Sequence, residues 1–310
     1  MTRLLYLDQN AWVALARGAW DKASFPKEHA ALSKVVEGVR AQAIAVPLSF
    51  ANIYETAKIN EPARRANMAR TQAVISGGRV FRGRRRILGE TLAAYLARHH
   101  NIARAEPDAQ WFLSDLWFEA AADYSPQDYG FDIPQPVLDF LRADPVGALF
   151  DYLAFGDEDV RLEAVRRNSA SSAALIAGIE SRRPVAAGEA LALRKRAYGA
   201  RLILDELDFI LATGRQLGLD WQTVRDIGSP LVRSIAVDIP ILNVERELVV
   251  RLEDQARAIT ENDLRDMAAF TMVVPFADMV VAEKPFVNLA RQARLDKHYG
   301  AVLMTSIFDL

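Results

Sequence analysis

The sequence contains no cysteine and only four histidines among 310 residues. Without cysteine there can be no disulfide, no thiolate zinc site and no cysteine nucleophile. The histidines, His29, His99, His100 and His298, lack the spacing of a metal-ligand set. A metal site in this chain is therefore expected to use oxygen ligands.

Long apolar runs and a strong net charge are also missing. No uninterrupted apolar run reaches the roughly 18 residues of a membrane span, and Arg3 and Asp8 interrupt the N-terminus too early for a secretory signal. The net charge is -2, which by itself indicates neither a nucleic-acid nor a membrane partner. We expect a soluble, cytoplasmic protein with a sizeable core and no membrane association.

Short apolar strands alternate with helices at both ends of the chain, whereas the middle is typical of helices alone. The strand candidates are Leu4–Leu7, Ala43–Pro47, Gly77–Phe81, Met279–Ala282 and Ala301–Ser306. This order predicts an α/β fold, with a parallel sheet of about five short strands and helices on both faces. We assign residues 1–90 and 255–310 to this domain. Residues 91–254 are predicted to be an all-helical insertion that forms a wall or lid of the active-site groove.

Four acidic residues lie at related points of this predicted sheet. Asp8 directly follows the first strand, and Glu283 directly follows the fourth. Glu55 lies in the helix after the second strand, and Asp266 lies in the helix before the fourth. Because parallel strands end at the same edge of a sheet, the four carboxylates can converge, and they would repel one another unless a cation neutralised them. Such oxygen ligands suit Mg²⁺ or Mn²⁺, which indicates phosphodiester hydrolysis by ion-activated water.

Structural roles compete with this interpretation at two of the acids. Asp8 could cap the helix that follows it, although Asn10 is the better-placed N-cap. Glu55 could pair on the helix surface with Lys58, three residues further on. The apolar residues that flank Glu55 favour the site interpretation.

Three neighbours are candidates for supporting the metal ligands through hydrogen bonds, namely Asn10, Asp263 and Asp278. Asp263 could also take the place of Asp266, but the spacing to Glu283 favours Asp266. Asp278 precedes the fourth strand and should lie at the opposite edge of the sheet from Glu283. A structural bond to backbone at the strand entry is therefore the favoured role of Asp278.

Basic residues cluster in two places after the second acidic motif. They are Arg64, Arg65, Arg82, Arg84, Arg85 and Arg86. A charge run is usually a solvated surface, but arginines close to an acidic site also suit phosphate contacts. We predict that these arginines bind nucleic-acid phosphates.

The segments YLDQN, VPLSFANIYETAK, NDLRDMAAF and MVVAEKPF, followed by YGAVLMTSIFDL, together resemble the successive motifs of a PIN-like domain. The resemblance is to a bacterial PIN-like ribonuclease with a large helical insertion, and it covers roughly residues 1–90 and 255–310. It implies a three-layer α/β/α fold, Mg²⁺ or Mn²⁺ as cofactor, and Asp8, Glu55, Asp266 and Glu283 as catalytic metal ligands. Glu283 replaces the more usual Asp, and Ala282 replaces a hydroxyl residue found in many family members.

We therefore predict a divalent-metal-dependent endoribonuclease, with a toxin or defence effector among its candidate roles and a protein inhibitor among its candidate partners. Two alternatives stay open. The same site could cut DNA, because nothing in the sequence reads a 2′-hydroxyl. The chain could instead be a catalytically silent scaffold that binds a protein partner through its helical insertion, an alternative that the departures at Ala282 and Glu283 favour. The oligomeric state stays open.

Overall fold

A small parallel sheet lies at the centre of this mostly helical molecule, in a computed structural model that describes residues 2–124 and 132–310. The strands are β1 (Arg3–Leu7), β2 (Ile44–Ala45), β3 (Val80–Phe81), β4 (Leu113–Ser114), β5 (Met279–Val281) and β6 (Val302–Met304). Four of them form the parallel sheet in the order β2-β1-β5-β6. The predicted α/β class is confirmed at this level.

The helices of the described residues follow the strands at both ends of the chain and fill its middle. They are α1 (Gln9–Trp20), α2 (Pro26–Arg40), α3 (Phe50–Ala57), α4 (Pro62–Ser76), α5 (Arg84–His99), α6 (Gln135–Ala143), α7 (Pro145–Phe155), α8 (Glu158–Ala186), α9 (Leu191–Asp205), α10 (Leu207–Gln216), α11 (Val224–Ile227), α12 (Ser229–Asp238), α13 (Pro240–Leu252), α14 (Glu261–Val273), α15 (Lys284–Gln292) and α16 (Leu295–Tyr299). Within the described ranges, none of these helices combines the length and the apolar character that a membrane crossing requires.

Two sequence-based predictions about the sheet were wrong. The strand predicted at Gly77–Phe81 forms as β3, but it lies outside the four-stranded sheet and pairs antiparallel with β4. It contacts the segment that follows β2 through a parallel bridge between Val80 and Leu48. The chain enters α3 at Phe50, so β2 does not extend far enough for β3 to pair with it as a fifth strand of the sheet. The region 91–254 is therefore not all helical, since it contributes β4.

The alternation of side chains along β1 divides the core between two faces of the sheet. Leu5 and Leu7 are buried in a cluster with residues of α1, α2, α4 and α7. Leu4 and Tyr6 point to the other face, where they join a cluster that extends through the helical middle of the chain to α14 and α15. Helices thus cover both faces of the sheet, and helices of the 91–254 region share an apolar core with β1.

Asp278 joins the starting ends of three neighbouring strands. Its Oδ2 accepts a hydrogen bond of 2.6 Å from the backbone N–H of Leu4 in β1. Its backbone carbonyl accepts a second bond, of 2.8 Å, from the N–H of Val302 in β6. This confirms the structural role expected for Asp278, at the edge of the sheet opposite to the one where Asp8 leaves β1.

We expect Asp278→Ala to lower the free energy of unfolding by about 1–3 kcal/mol, because the buried Leu4 amide loses its acceptor. Asp278→Asn is the matched control, since its amide oxygen can still accept that bond, and it should cost less. Urea unfolding followed by circular dichroism measures both. An alanine variant as stable as the wild type would contradict this role.

Candidate active site

The pairing of β1 with β5 brings Asp8 and Glu283 to the same edge of the sheet. Leu7 lies opposite Val281 in this parallel pair, and the backbone N–H of Asp8 donates to the carbonyl of Val281 at 2.9 Å. Glu283 directly precedes α15, two residues after β5 ends. The Asn10 amide Nδ2 donates to Glu283 Oε1 at 2.6 Å, which gives Asn10 the supporting position predicted for it.

Glu55 reaches this edge because α3 begins next to the end of β1. Ser49 and Asn52 form a capping box at the start of α3, which satisfies backbone groups of its first turn. The Asn52 amide Nδ2 then donates to the backbone carbonyl of Leu7 at 3.1 Å. A buried side chain thereby holds α3 against β1 and fixes where Glu55 lies.

Asp266 comes from α14, whose start is fixed by Asp263. Asp263 forms a capping box with Thr260 and an ion pair with Arg257, and it is 5% exposed. Burial alone would raise the pKa of Asp263, but hydrogen bonds from Arg257 and Thr260 hold it below its usual range. Asp263 does not line the pocket that contains Asp266, so the alternative in which Asp263 replaces Asp266 is wrong.

All four predicted carboxylates line one open pocket of about 270 Å³, which we call the acid pocket. Its lining consists of Asp8, Gln9, Asn10, Val13, Glu55, Lys58, Ile59, Arg64, Asn262, Arg265, Asp266 and Glu283. None of these comes from residues 91–254, so the prediction that this region forms a wall or lid of the site is wrong for its described residues, 91–124 and 132–254. Instead, α8 backs the acid-bearing helices, with Ser169 Oγ lying 3.1 Å from the hydroxyl of Tyr54 in α3.

Burial and repulsion by neighbouring carboxylates raise the pKa of three carboxyls in this pocket. Burial raises the pKa of Asp266 to about 8, assisted by the negative charges of Glu283, Asp8 and Glu55. Burial likewise raises the pKa of Asp8 to about 6, with Glu283 and Glu55 contributing. Burial also raises the pKa of Glu55, although the Arg265 guanidinium partly opposes the shift. The acid pocket therefore carries more negative charge than the chain's own cations compensate.

The N-cap of α1 is Asp8, so the prediction that placed it at Asn10 was wrong. Asp8 Oδ1 accepts a hydrogen bond of 2.9 Å from the backbone N–H of Ala11. The chain turns into the helix directly after β1, which makes the last extended residue the cap. Asp8 therefore caps α1 and also lines the acid pocket, so the two roles do not exclude each other.

Glu55 pairs with a residue that the sequence analysis missed. Its Oε1 accepts a bond of 2.9 Å from Arg265 Nε, whereas Lys58, the predicted surface partner, pairs with Glu261 at 3.3 Å. No local pattern signals this pair, because Glu55 and Arg265 lie 210 residues apart in the sequence.

Five of the six arginines predicted to bind phosphate have partners within the chain. Arg82 pairs with Glu119, Arg84 and Arg85 with Glu206, Arg86 with Asp123, and Arg65 with the carbonyl of Ile59. Arg64 is exposed and is the member of this set that lines the acid pocket. Arg64 is therefore the candidate phosphate contact of the acid pocket among these six arginines.

The chemistry of the donor set fits a hard divalent cation. Within residues 2–124 and 132–310, no three acidic or histidine side chains converge closely enough to hold an ion by direct bonds. Mg²⁺, however, keeps several waters and usually takes only one or two protein carboxylates directly. An ion in the acid pocket would therefore have to be held partly through water.

Comparisons with known proteins found no relative of this chain. No protein-family model, no curated protein and no solved structure matches it. The interpretation of the acid pocket therefore depends on its own geometry and charge.

The raised pKa values predict how stability depends on pH in the absence of divalent ions. Asp266 ionises near pH 4 when unfolded and near pH 8 when folded, so wild-type stability should fall between these values. Asp266→Asn removes that ionisation. We expect the variant to gain on the order of a few kcal/mol relative to the wild type from pH 4 to pH 8.

Urea unfolding in EDTA at both pH values measures this change, with Asp151→Asn, at an exposed position of α7, as the control. A stability difference between wild type and Asp266→Asn that is the same at both pH values would contradict the charge analysis.

Proposed function

We propose that this chain is a PIN-like, divalent-metal-dependent endoribonuclease. The observation that carries the proposal is the meeting of Asp8, Glu55, Asp266 and Glu283 in one pocket, where burial and like charge raise the pKa of Asp8, Glu55 and Asp266. Neighbouring carboxylates repel one another and destabilise a fold unless a cation neutralises them. Their proximity therefore favours a catalytic over a structural role. The oxygen-only donor set favours Mg²⁺ or Mn²⁺.

The proposed roles follow from the position of each side chain. Asp8, Glu55, Asp266 and Glu283 would hold the ion, directly or through water. When bound, such an ion supplies an activated water and offsets the charge that develops on the phosphate. Asn10 orients Glu283 through its amide hydrogen bond. The Asp266 carboxyl holds a proton near neutral pH in the ion-free protein and would release it as the cation enters.

Arg64 is the proposed phosphate contact of the acid pocket. It lines the pocket near the carboxylates, and its guanidinium makes no ion pair within the part of the chain that the structure describes. Arginine suits this task because its planar fork can bind two phosphate oxygens at once.

Asp8→Asn tests the metal-dependent activity most cleanly. Asn is as good an N-cap as Asp, so α1 should keep its cap while the pocket loses one carboxylate. We expect cleavage of a single-stranded RNA in Mn²⁺ to fall at least about 100-fold, because losing even an outer partner of a metal site costs about 10–100-fold. Cleavage is read on denaturing gels, beside a DNA strand of the same sequence.

Asp151→Asn serves as the matched control and should cleave like the wild type. Cleavage of DNA in preference to RNA would reassign the substrate. A folded wild type with no Mn²⁺-dependent cleavage of either strand would favour the scaffold alternative and contradict the proposal.

Arg64→Ala should weaken RNA binding, measured with the Asp8→Asn protein so that little substrate is cleaved during the measurement. The dependence of log affinity on log salt should become shallower by about one unit, as expected when one phosphate contact is lost. Arg70→Ala, at an exposed position of the same helix outside the acid pocket, is the control and should leave that slope unchanged. Equal effects of the two substitutions would contradict a specific role for Arg64.

A further inference from the structure

Arg265 is an inward-facing cation whose nitrogens are all bonded within the chain. Nε donates to Glu55 at 2.9 Å, Nη1 donates to Glu261 at 2.5 Å, and Nη2 donates to Asn262. The side chain is 11% exposed, and its guanidinium carbon lies 5.8 Å from the centre of the Tyr54 ring. These contacts hold Arg265 in one place at the wall of the acid pocket.

The four acids of the pocket differ in how their charge is compensated. Glu55 makes an ion pair with Arg265. Asp8, Asp266 and Glu283 make no ion pair with any lysine, arginine or histidine in residues 2–124 and 132–310, and the Arg265 beside them is already paired with Glu55 and Glu261. Asp8, Asp266 and Glu283 are therefore the carboxyl groups of the pocket that no cation of the described residues neutralises, whereas Glu55 has such a partner.

We propose that Arg265 is a built-in counter-cation that takes Glu55 as its partner, so that the acid pocket binds a single divalent ion at Asp8, Asp266 and Glu283. This inference rests on the proposed function and refines it, because it removes Glu55 from the ion ligands. Glu55 becomes the residue that positions Arg265. A second divalent ion beside Glu55 would face a guanidinium that cannot lose its proton, in surroundings where charges repel strongly.

Arg265 has a role in the acid pocket as well as in the helix α14. Arg265 immediately precedes Asp266, so the same turn of helix presents one cation and one uncompensated carboxylate to the pocket. The cation restricts the site to one ion, and the carboxylate helps to hold it.

Isothermal titration of the purified full chain with MnCl₂ tests the inference without measuring catalysis. We expect one Mn²⁺ per wild-type chain. Asp266→Asn should weaken the affinity at least about 30-fold, because it removes a ligand, whereas Glu55→Gln should weaken it by less than about threefold. The melting temperature of each variant in EDTA shows that it is folded.

The substitution of Arg265 completes a double-mutant cycle. Arg265→Gln frees Glu55 and removes a positive charge, so Mn²⁺ affinity should rise at least about fivefold. The charge-neutral double variant Glu55→Gln/Arg265→Gln should return to wild-type affinity. Arg265→Lys, which keeps the charge, should also stay close to the wild type. If the Arg265→Gln protein does not fold, the Mn²⁺ affinities of Glu55→Gln and Asp266→Asn still show whether Glu55 is an ion ligand.

The Mn²⁺ titration separates a failure of the Arg265 proposal from a failure of the proposed nuclease function. Two Mn²⁺ ions on the wild type, or a loss for Glu55→Gln as large as for Asp266→Asn, would overturn the role of Arg265 and leave the proposed nuclease intact. No Mn²⁺ binding by the folded wild type would overturn both.

Discussion

The site depends on one backbone hydrogen bond, from the Asp8 N–H to the carbonyl of Val281, which continues the pairing of β1 with β5 to its last residue. It fixes where the chain leaves the sheet on both strands, and it thereby places the Asp8 and Glu283 side chains on one edge. The Asn52 amide, bonded to the Leu7 carbonyl, adds α3 to the same edge. A ligand site at the carboxyl ends of parallel strands is the arrangement that open α/β sheets favour.

The charge at this edge is best understood by comparing two carboxylates of α14. Asp263 is almost completely buried, yet hydrogen bonds from Arg257 and Thr260 overcome the effect of burial and keep its pKa low. Asp266, one turn further along, has neighbours of its own sign, and its pKa is raised to about 8. The chain thus compensates a carboxylate where structure requires it. The lack of compensation at Asp266 is a local conflict of the kind that functional sites retain.

Much of this site could be predicted from the sequence because the positions that matter are set by local pattern. Asp8 and Glu283 each follow a short apolar strand, and the carboxyl ends of parallel strands must share an edge. Glu55 and Asp266 lie in helices that adjoin those strands. The N-cap of α1 was misplaced by two residues, since Asp and Asn are both strong caps and sequence does not say where extended backbone ends.

The remaining errors involve partners that are distant in sequence. Arg84 and Arg85 read as a solvent-facing or phosphate-binding run, but Glu206, about 120 residues away, pairs with both. The strand β4 has two residues and no pattern of its own, so only its pairing with β3 reveals it. Arg265 was overlooked for the same reason, because its role depends on Glu55, which is distant in sequence.

Anomalous diffraction from crystals grown with Mn²⁺, recorded at the manganese absorption edge, locates any metal ion bound at this edge of the sheet. We expect one strong anomalous peak in the acid pocket, within direct or water-mediated reach of Asp8, Asp266 and Glu283, with Arg265 still paired to Glu55. An acid pocket without a peak, at a Mn²⁺ concentration that supports cleavage in solution, would contradict the claim that this edge of the sheet is a metal site.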